Sequence, residues 1–150
     1  MKVLAKIIGS TLGCGYFPVA PGTVGSLVAI IALWLLPTMD LSTLLLISLI
    51  FFFVGVWAAT ICEREWGHDA GRIVWDEVVG MMISIVALPK QALIYGAAFF
   101  LFRLFDIIKP FPANASQRLP KGWGVMIDDV IAALYTNIVL QIVLLIFHLA

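Results

Sequence analysis

Two long apolar runs dominate the pattern of hydrophobic and polar positions along the chain. The first covers residues 41–62, and the second covers 130–150, where only uncharged polar residues and His148 interrupt it. A helix needs about 20 apolar residues to cross the hydrocarbon core of a bilayer, and both runs reach that length. We therefore expect two membrane-spanning helices.

A shorter apolar run precedes the first of these spans. It covers residues 24–36 and stops at Pro37. Residues 37–40 then have the composition of a tight connection into the next helix. We expect 24–36 and 41–62 to form a helical hairpin.

Residues 78–104 are also apolar, but Pro89-Lys90 divides them into two pieces that are each too short to cross a bilayer. They predict either one kinked span or a hairpin of two short helices. In a hairpin, the N-terminal segment and the loops at 63–77 and 105–129 share one side of the membrane. The hairpin is favoured because basic residues concentrate on the cytoplasmic side, and it leaves only Asp40 and Lys90 opposite. The basic residues that it gathers are Lys2, Lys6, Arg64, Arg72, Arg103, Lys109, Arg118 and Lys121.

The composition supports a membrane protein. The chain is 63% hydrophobic and 12% charged, whereas soluble domains carry about 25% charged residues. Its net charge of zero gives no support to nucleic-acid binding. We expect a single domain over residues 1–150 with an all-α fold, a small polytopic membrane helical bundle with interfacial loops.

Paired carboxylates stand where polar loops meet apolar runs. Asp76 and Glu77 directly precede the run at 78–104. Ionisable groups near lipid are unfavourable and usually pair, bind metal or serve a function, so a functional site is the favoured interpretation. The alternative is that Asp76 caps a helix.

Asp128 and Asp129 take the same position before the last apolar run. Neighbouring helical residues do not share a face. We therefore expect one of them to bind a metal while the other caps the helix, orients a water or binds a second ion. The alternative is that both only cap and flank the span.

Arg103, Asp106 and Lys109 are spaced three residues apart, which places them on one face of a helix that Pro110 then ends. Two cations and one carboxylate fit a site for phosphate and metal. An ion-pair ladder within the helix fits the spacing equally well.

The acids together predict a metal site. Their hard oxygen ligands suit Mg²⁺ better than zinc, because no cysteine or histidine cluster accompanies them. The predicted metal ligands are Asp76, Glu77, Asp106, Asp128 and Asp129. Such an ion would neutralise phosphate charge and activate a water. His68 is a candidate proton donor, although a lone loop histidine is more often incidental.

The segment 13–26 is rich in glycine, proline and hydroxyl groups and leads into a helix. Backbone N–H groups at a helix N-terminus bind anions, and glycines let phosphate oxygens approach closely. Gly22, Thr23 and Ser26 are therefore candidates for binding a phosphate together with Arg103 and Lys109. The alternative is an ordinary capped turn, and the segment lacks the G-K-S/T ending of a nucleotide-binding loop.

Four motifs together resemble the bacterial phosphatidylglycerophosphatase A family. They lie in unchanged order between about residues 13 and 133, and they read G-Y-F-P-V-A-P-G-T-V-G-S, I-V-W-D-E-V-V-G, F-R-L-F-D-I-I-K-P-F-P and G-W-G-V-M-I-D-D. The resemblance implies a Mg²⁺-dependent phosphatase that hydrolyses phosphatidylglycerophosphate to phosphatidylglycerol and phosphate. This reaction is the last step of phosphatidylglycerol synthesis. The implied location is the bacterial cytoplasmic membrane, with several spans and a cytoplasmic site that acts on a phospholipid.

The family motifs fall on residues already selected by their chemistry. The positions that match are Thr23, Asp76, Glu77, Arg103, Asp106, Lys109, Asp128 and Asp129. As catalytic residues we expect Asp76, Asp129 and His68. The chain departs from the family at Lys121 and Ala133, where the family tends to have glycine; both departures bear on local shape more than on activity.

The main alternative is an ion or proton carrier, because carboxylates within a membrane also mark transport routes. A carrier places its acids in mid-span. Here the runs at 41–62 and 130–150 contain no acid, which favours an interfacial site acting on a lipid headgroup. A second enzyme class, which transfers phosphoalcohols from nucleotide-activated lipids, uses a D-G-x-x-A-R signature that does not occur.

Overall fold

The computed structural model describes residues 1–147, so His148 and the last two positions of the second apolar run lie outside the described residues. The described chain is all-helical, as expected. The helices are α1 (Lys2–Gly9), α2 (Pro21–Leu35), α3 (Leu41–Trp66), α4 (Trp75–Ser84), α5 (Ala92–Ile108), α6 (Ala113–Ser116) and α7 (Gly122–Phe147). A short 3₁₀ turn at Cys14–Tyr16 lies between α1 and α2.

Two helices, α3 and α7, are long and apolar enough to cross a membrane. Each has 26 residues, or about 39 Å at 1.5 Å per residue, which exceeds the hydrocarbon thickness of a bilayer. Large apolar side chains face outward on both helices; Leu46 is 58% exposed and Leu145 is 76% exposed. Such surfaces are stable in lipid, and the chain is a membrane protein.

The segment 78–104 is a hairpin, as favoured from the sequence. Helix α4 ends at Ser84, and α5 begins at Ala92 and runs back to the end of the bundle where α4 starts. The turn between them lies beside the connection from α2 to α3, because the Lys90 ammonium donates to the Leu36 carbonyl. Lys90 and Asp40 are thus at one end of the bundle and the acids at the other.

The expected hairpin of residues 24–36 and 41–62 is wrong in its packing. The connection is short, but α2 packs mainly against α4 and α5, whereas α3 packs mainly against α1 and α7 and also contacts α4. The short α4 is the central helix of the bundle, with Val79 and Met81 fully buried. After Asp76 and Glu77 the residues of α4 are mostly apolar, and the helix is surrounded by α2, α3, α5 and α7, which bury these residues.

Side-chain amides of α7 satisfy the backbone where α4 ends. Asn137 donates to the carbonyls of Ser84 and Val86 at 3.1 and 2.8 Å, and Gln141 donates to Val86 and Ala87 at 3.3 Å. Carbonyls at membrane depth need partners from the protein because lipid offers none. These amides therefore allow α4 to stop within the bundle.

The variant Asn137→Leu should lower the free energy of unfolding by about 1–2 kcal/mol, because it leaves the Ser84 carbonyl without a side-chain donor and removes the shorter of the two hydrogen bonds to the Val86 carbonyl. The measurement is thermal unfolding of the detergent-solubilised protein. Ile138→Leu is the matched control, since Ile138 is 53% exposed and faces away from the packed interior. Equal unfolding midpoints for the two variants would contradict this role of Asn137.

Candidate active site

Helices α4 and α7 bring three carboxylates together at one end of the bundle. Asp76 and Glu77 lie in the first turn of α4, and Asp129 lies two turns into α7. Each offers an oxygen within 4.8 Å of those of the other two, and all three residues are buried. We call Asp76, Glu77 and Asp129 the carboxylate cluster.

Helix capping does not explain these acids. The residue that caps α4 is Val74, and Asp76 lies inside the helix. Helix α7 begins at Gly122, well before Asp128 and Asp129. The alternative in which Asp76 caps α4 is therefore wrong, and so is capping of α7 as a role for Asp128 or Asp129.

The carboxylate cluster has oxygens that the described protein does not satisfy. Within residues 1–147, Asp76 Oδ1, Glu77 Oε2 and Asp129 Oδ2 are buried and make no hydrogen bond. Buried carboxylates lose their hydration, and two unit charges 4 Å apart repel each other by roughly 1–4 kcal/mol in surroundings of aqueous to intermediate dielectric. Hard oxygen donors in this arrangement fit a divalent cation such as Mg²⁺.

Arg103 connects the carboxylate cluster to α2. Its Nη1 donates to Asp106 Oδ2 at 2.8 Å and to Ser26 Oγ at 3.3 Å, and lies 3.5 Å from Glu77 Oε1. Its Nε is buried and has no acceptor among the described residues. The guanidinium is thus held beside the cluster with one donor still available.

Lys109 forms the other cationic side of the site. It ends α5 in a left-handed conformation with φ of 47°, its ammonium donates to Asp128, and it lies 3.7 Å from Asp106 Oδ1. Partial burial opposes the charge, but the carboxylates of Asp128, Asp129 and Asp106 outweigh it and raise the pKa of Lys109. Lys109 therefore stays protonated.

Three of the five predicted metal ligands meet in the carboxylate cluster. The other two, Asp106 and Asp128, lie beside it in ion pairs with Arg103 and Lys109. Ion pairing reduces the negative charge that these two oxygens offer to a metal. Their role as metal ligands stays a prediction.

The predicted phosphate-binding segment lies against the cluster. A Cβ at Gly22 would be 2.2 Å from Glu77 Oε1 and 3.2 Å from the Arg103 guanidinium, so only glycine leaves room for them. The Ser26 hydroxyl donates to the Gly22 carbonyl at 2.9 Å and accepts from Arg103. Thr23 follows Gly22 in the first turn of α2 and is half-buried.

His68, which we expect to be a proton donor, lies elsewhere. Its Nδ1 is 2.7 Å from Glu63 Oε1, and its side chain is 61% exposed. These contacts are with the end of α3 and not with the carboxylate cluster. The catalytic role of His68 stays a prediction that this geometry does not support.

The sequence gives no signal for the positioning role of Thr11. Its hydroxyl donates to the Val74 carbonyl at 2.9 Å, and Val74 N–H donates to the Gly9 carbonyl at 2.8 Å. Both bonds fix the backbone two residues before Asp76. No local pattern marks them, because the partners are more than 60 residues apart in the chain.

Lys121 and Ala133, where the family tends to have glycine, occupy a left-handed turn and the core of the bundle. Lys121 adopts φ of 60°, the left-handed conformation that favours glycine. Ala133 is fully buried in the core of the bundle. Neither residue belongs to the carboxylate cluster, so both affect shape and packing only.

Asp129→Asn and Asp128→Asn should change stability in opposite directions when a chelator is present. The first removes one of three close carboxylate charges and should stabilise the protein by roughly 1–4 kcal/mol. The second leaves the Lys109 ammonium without its nearest partner and should destabilise it by about 1–3 kcal/mol. Unfolding of both variants in EDTA measures this, and destabilisation by Asp129→Asn would contradict the repulsion proposed for the cluster.

Known proteins resemble this chain over most of its length. A family model described as Phosphatidylglycerophosphatase A matches residues 7–144. No solved structure matches the chain. A relative from Haemophilus influenzae named phosphatidylglycerophosphatase A is 42% identical over 131 residues, 85% of this chain and 80% of its own length. One of the same name from Escherichia coli is 38% identical over 123 residues, 80% of this chain and 72% of its own length.

A third relative carries a different name. A Bacteroides thetaiotaomicron protein named "Putative phosphatidylinositol-3-phosphatase" is 42% identical over 148 residues, which is 93% of this chain and 92% of that protein. All three names describe phosphatases. From the family model and these identities, the chain belongs to the phosphatidylglycerophosphatase A family and is a phosphatase.

Proposed function

We propose that the protein hydrolyses the terminal phosphate of phosphatidylglycerophosphate in a Mg²⁺-dependent reaction, releasing phosphatidylglycerol and inorganic phosphate for phospholipid biosynthesis. The observation that carries the proposal is the carboxylate cluster, whose buried oxygens lack partners within residues 1–147 and lie beside Arg103. The family membership supplies the reaction and the substrate.

Asp76, Glu77 and Asp129 would hold the Mg²⁺ ion. A bound Mg²⁺ neutralises phosphate charge and makes a bound water more acidic. Asp106 and Asp128 would become metal ligands once the substrate phosphate replaces them as partners of Arg103 and Lys109. Asp76 and Asp129 each have a carboxylate oxygen without a partner among the described residues. These oxygens would accept the proton that the attacking water loses.

The cations and α2 would bind the phosphate oxygens. The Arg103 guanidinium is planar and can donate to two oxygens, and its Nε has no acceptor among the described residues. Lys109 adds a charge that its raised pKa maintains. The backbone N–H groups of Gly22 and Thr23, at the N-terminus of α2, would donate to a third oxygen.

We propose a multi-pass arrangement with the site at the cytoplasmic face. Helices α3 and α7 are long enough to span, and the hairpin of α4 and α5 returns to the same side. Lys2 and Lys6 pair with Glu65 on this side, near the end of α3. This end carries many more basic residues than the opposite end, where Lys90 lies, and such a difference is typical of a cytoplasmic surface.

A second substrate has one observation in its favour, the name of the Bacteroides thetaiotaomicron relative. Phosphatidylinositol 3-phosphate shares the essential chemistry, a phosphate monoester on a polyol headgroup of a membrane lipid. Carriage of ions or protons is the non-enzyme alternative. It is disfavoured because the carboxylate cluster lies at one end of the bundle, beside phosphate-binding cations.

The test is phosphate release by the purified protein in mixed micelles. Three substrates are compared: phosphatidylglycerophosphate, phosphatidylinositol 3-phosphate and phosphatidic acid, each with Mg²⁺ and with EDTA. We expect phosphatidylglycerophosphate to be preferred by at least about tenfold in kcat/KM, and EDTA to abolish release reversibly. Preference for the inositol lipid would reject the proposed substrate. Release that EDTA does not affect would reject the metal, and no release from a folded sample would reject the proposed reaction.

Asp76→Asn should lower kcat by about 10²–10³-fold, because it removes a charged ligand and a proton acceptor together. The variant should still insert into membranes and unfold at or above the wild-type temperature in EDTA. Asp40→Asn is the matched control, since Asp40 caps α3 at the opposite end of the bundle. Full activity of Asp76→Asn would contradict the proposed site.

A further inference from the structure

An apolar groove of about 380 Å³ runs between α2 and α5 on the outer surface of the bundle. Its walls are almost entirely hydrocarbon and aromatic. Leu27 and Trp34 on one wall are 45% and 41% exposed, and Phe100 on the other is 72% exposed. The residues that line it include Leu27, Ile31, Trp34, Tyr95, Gly96 and Phe100.

The groove is aligned with the phosphate-binding side of the site. Residues three or four positions apart share a helix face. On α2, Thr23 precedes Leu27 by one turn on the same face; on α5, Arg103 follows Phe99 by one turn. Both walls therefore lead to a proposed phosphate-binding residue.

The opposite end of the groove is bridged by aromatic rings. Trp34 on α2 contacts Tyr95 on α5 edge-to-face, with ring centroids 5.5 Å apart, and the Lys90 ammonium lies 5.7 Å from the Trp34 ring. From Leu27 to Trp34 the helix rises about 10 Å. The groove thus has the volume and length for part of one extended hydrocarbon chain.

Gly96 makes space in the wall formed by α5. No described heavy atom outside its own stretch of helix lies within 4 Å of the position that a Cβ would take there. A glycine inside a helix lowers helix stability by about 1 kcal/mol relative to alanine, and here no close contact inside the protein requires it. The missing side chain instead widens the groove.

We propose that this groove binds one fatty acyl chain of the substrate phospholipid while the headgroup phosphate reaches Arg103. The inference rests on the proposed function and identifies how the lipid part of the substrate is recognised. An acyl chain gains little hydrophobic free energy on leaving the bilayer for the groove, because both are apolar. Its contribution is positional: the bound chain holds the headgroup in register with the carboxylate cluster.

The test compares two substrates that carry the same headgroup, dioleoyl phosphatidylglycerophosphate and its deacylated form. Gly96→Phe fills the groove without meeting other described atoms close to its Cβ. We expect it to lower the ratio of kcat/KM for the lipid to that for the deacylated substrate by at least about tenfold. Gly96→Ala should give a smaller decrease in the same direction.

Leu134→Phe is the matched control, because Leu134 on α7 is 47% exposed, like Leu27, but does not line the groove. It should leave the ratio within about twofold of wild type, since the side chain lies outside the lining of the groove. An unchanged ratio in Gly96→Phe would overturn the proposal. An equal decrease in Leu134→Phe would assign the effect to general contact with lipid and also overturn it.

Crosslinking separates this inference from the proposed function. A phosphatidylglycerophosphate analogue with a photoreactive diazirine on one acyl chain is mixed into phosphatidylcholine vesicles that contain the protein. Labelling should concentrate on peptides of α2 and α5 and decrease when unlabelled phosphatidylglycerophosphate is added. If the wild type releases no phosphate but this labelling persists, the proposed function fails and the groove remains a lipid site. Labelling spread evenly over α3 and α7 overturns the groove, even when phosphate is released.

Discussion

The repulsion between three buried carboxylates is the constraint on which the rest of the structure depends. Asp76, Glu77 and Asp129 each place a carboxylate oxygen within 4.8 Å of the others, and all three residues are buried. Such an arrangement is stable only when surrounding groups hold it in place and a positive charge balances it. Arg103 balances part of the charge of Glu77. A divalent cation is the natural complement for the remainder.

The helices are arranged so that each contributes one part of this site. Helix α4 brings Asp76 and Glu77, and it is fixed at its start by Thr11 and at its end by the amides of α7. Helix α5 contributes the cations, and α2 contributes a glycine against which the Glu77 carboxylate packs. A short helix at the centre of longer ones lets a chain of 150 residues gather charged groups at one end of the bundle while its outer surface stays apolar.

The sequence predicts those features that depend on local pattern. The two long apolar helices, the hairpin over 78–104 and the location of the paired acids at one end all follow from run lengths and the position of Pro89. The packing of α2 depends on which apolar faces fit each other, and the sequence does not reveal it. The same holds for the choice among five acids: spacing places Asp106 near Arg103, but only the tertiary fold brings Lys109 to Asp128 and leaves Asp129 without an ion-pair partner within residues 1–147.

The most direct test of the carboxylate cluster as a metal site is to measure Mn²⁺ binding to the purified protein by electron paramagnetic resonance, with Mg²⁺ as competitor. It reports on the carboxylate cluster without requiring turnover or knowledge of the substrate. If the carboxylate cluster binds a divalent cation, Mn²⁺ should bind, Mg²⁺ should displace it, and the Mn²⁺ affinity should be at least about tenfold weaker in Asp129→Asn. Equal Mn²⁺ affinity in the wild type and this variant, or no binding by a folded wild-type sample, would contradict a metal site in the carboxylate cluster.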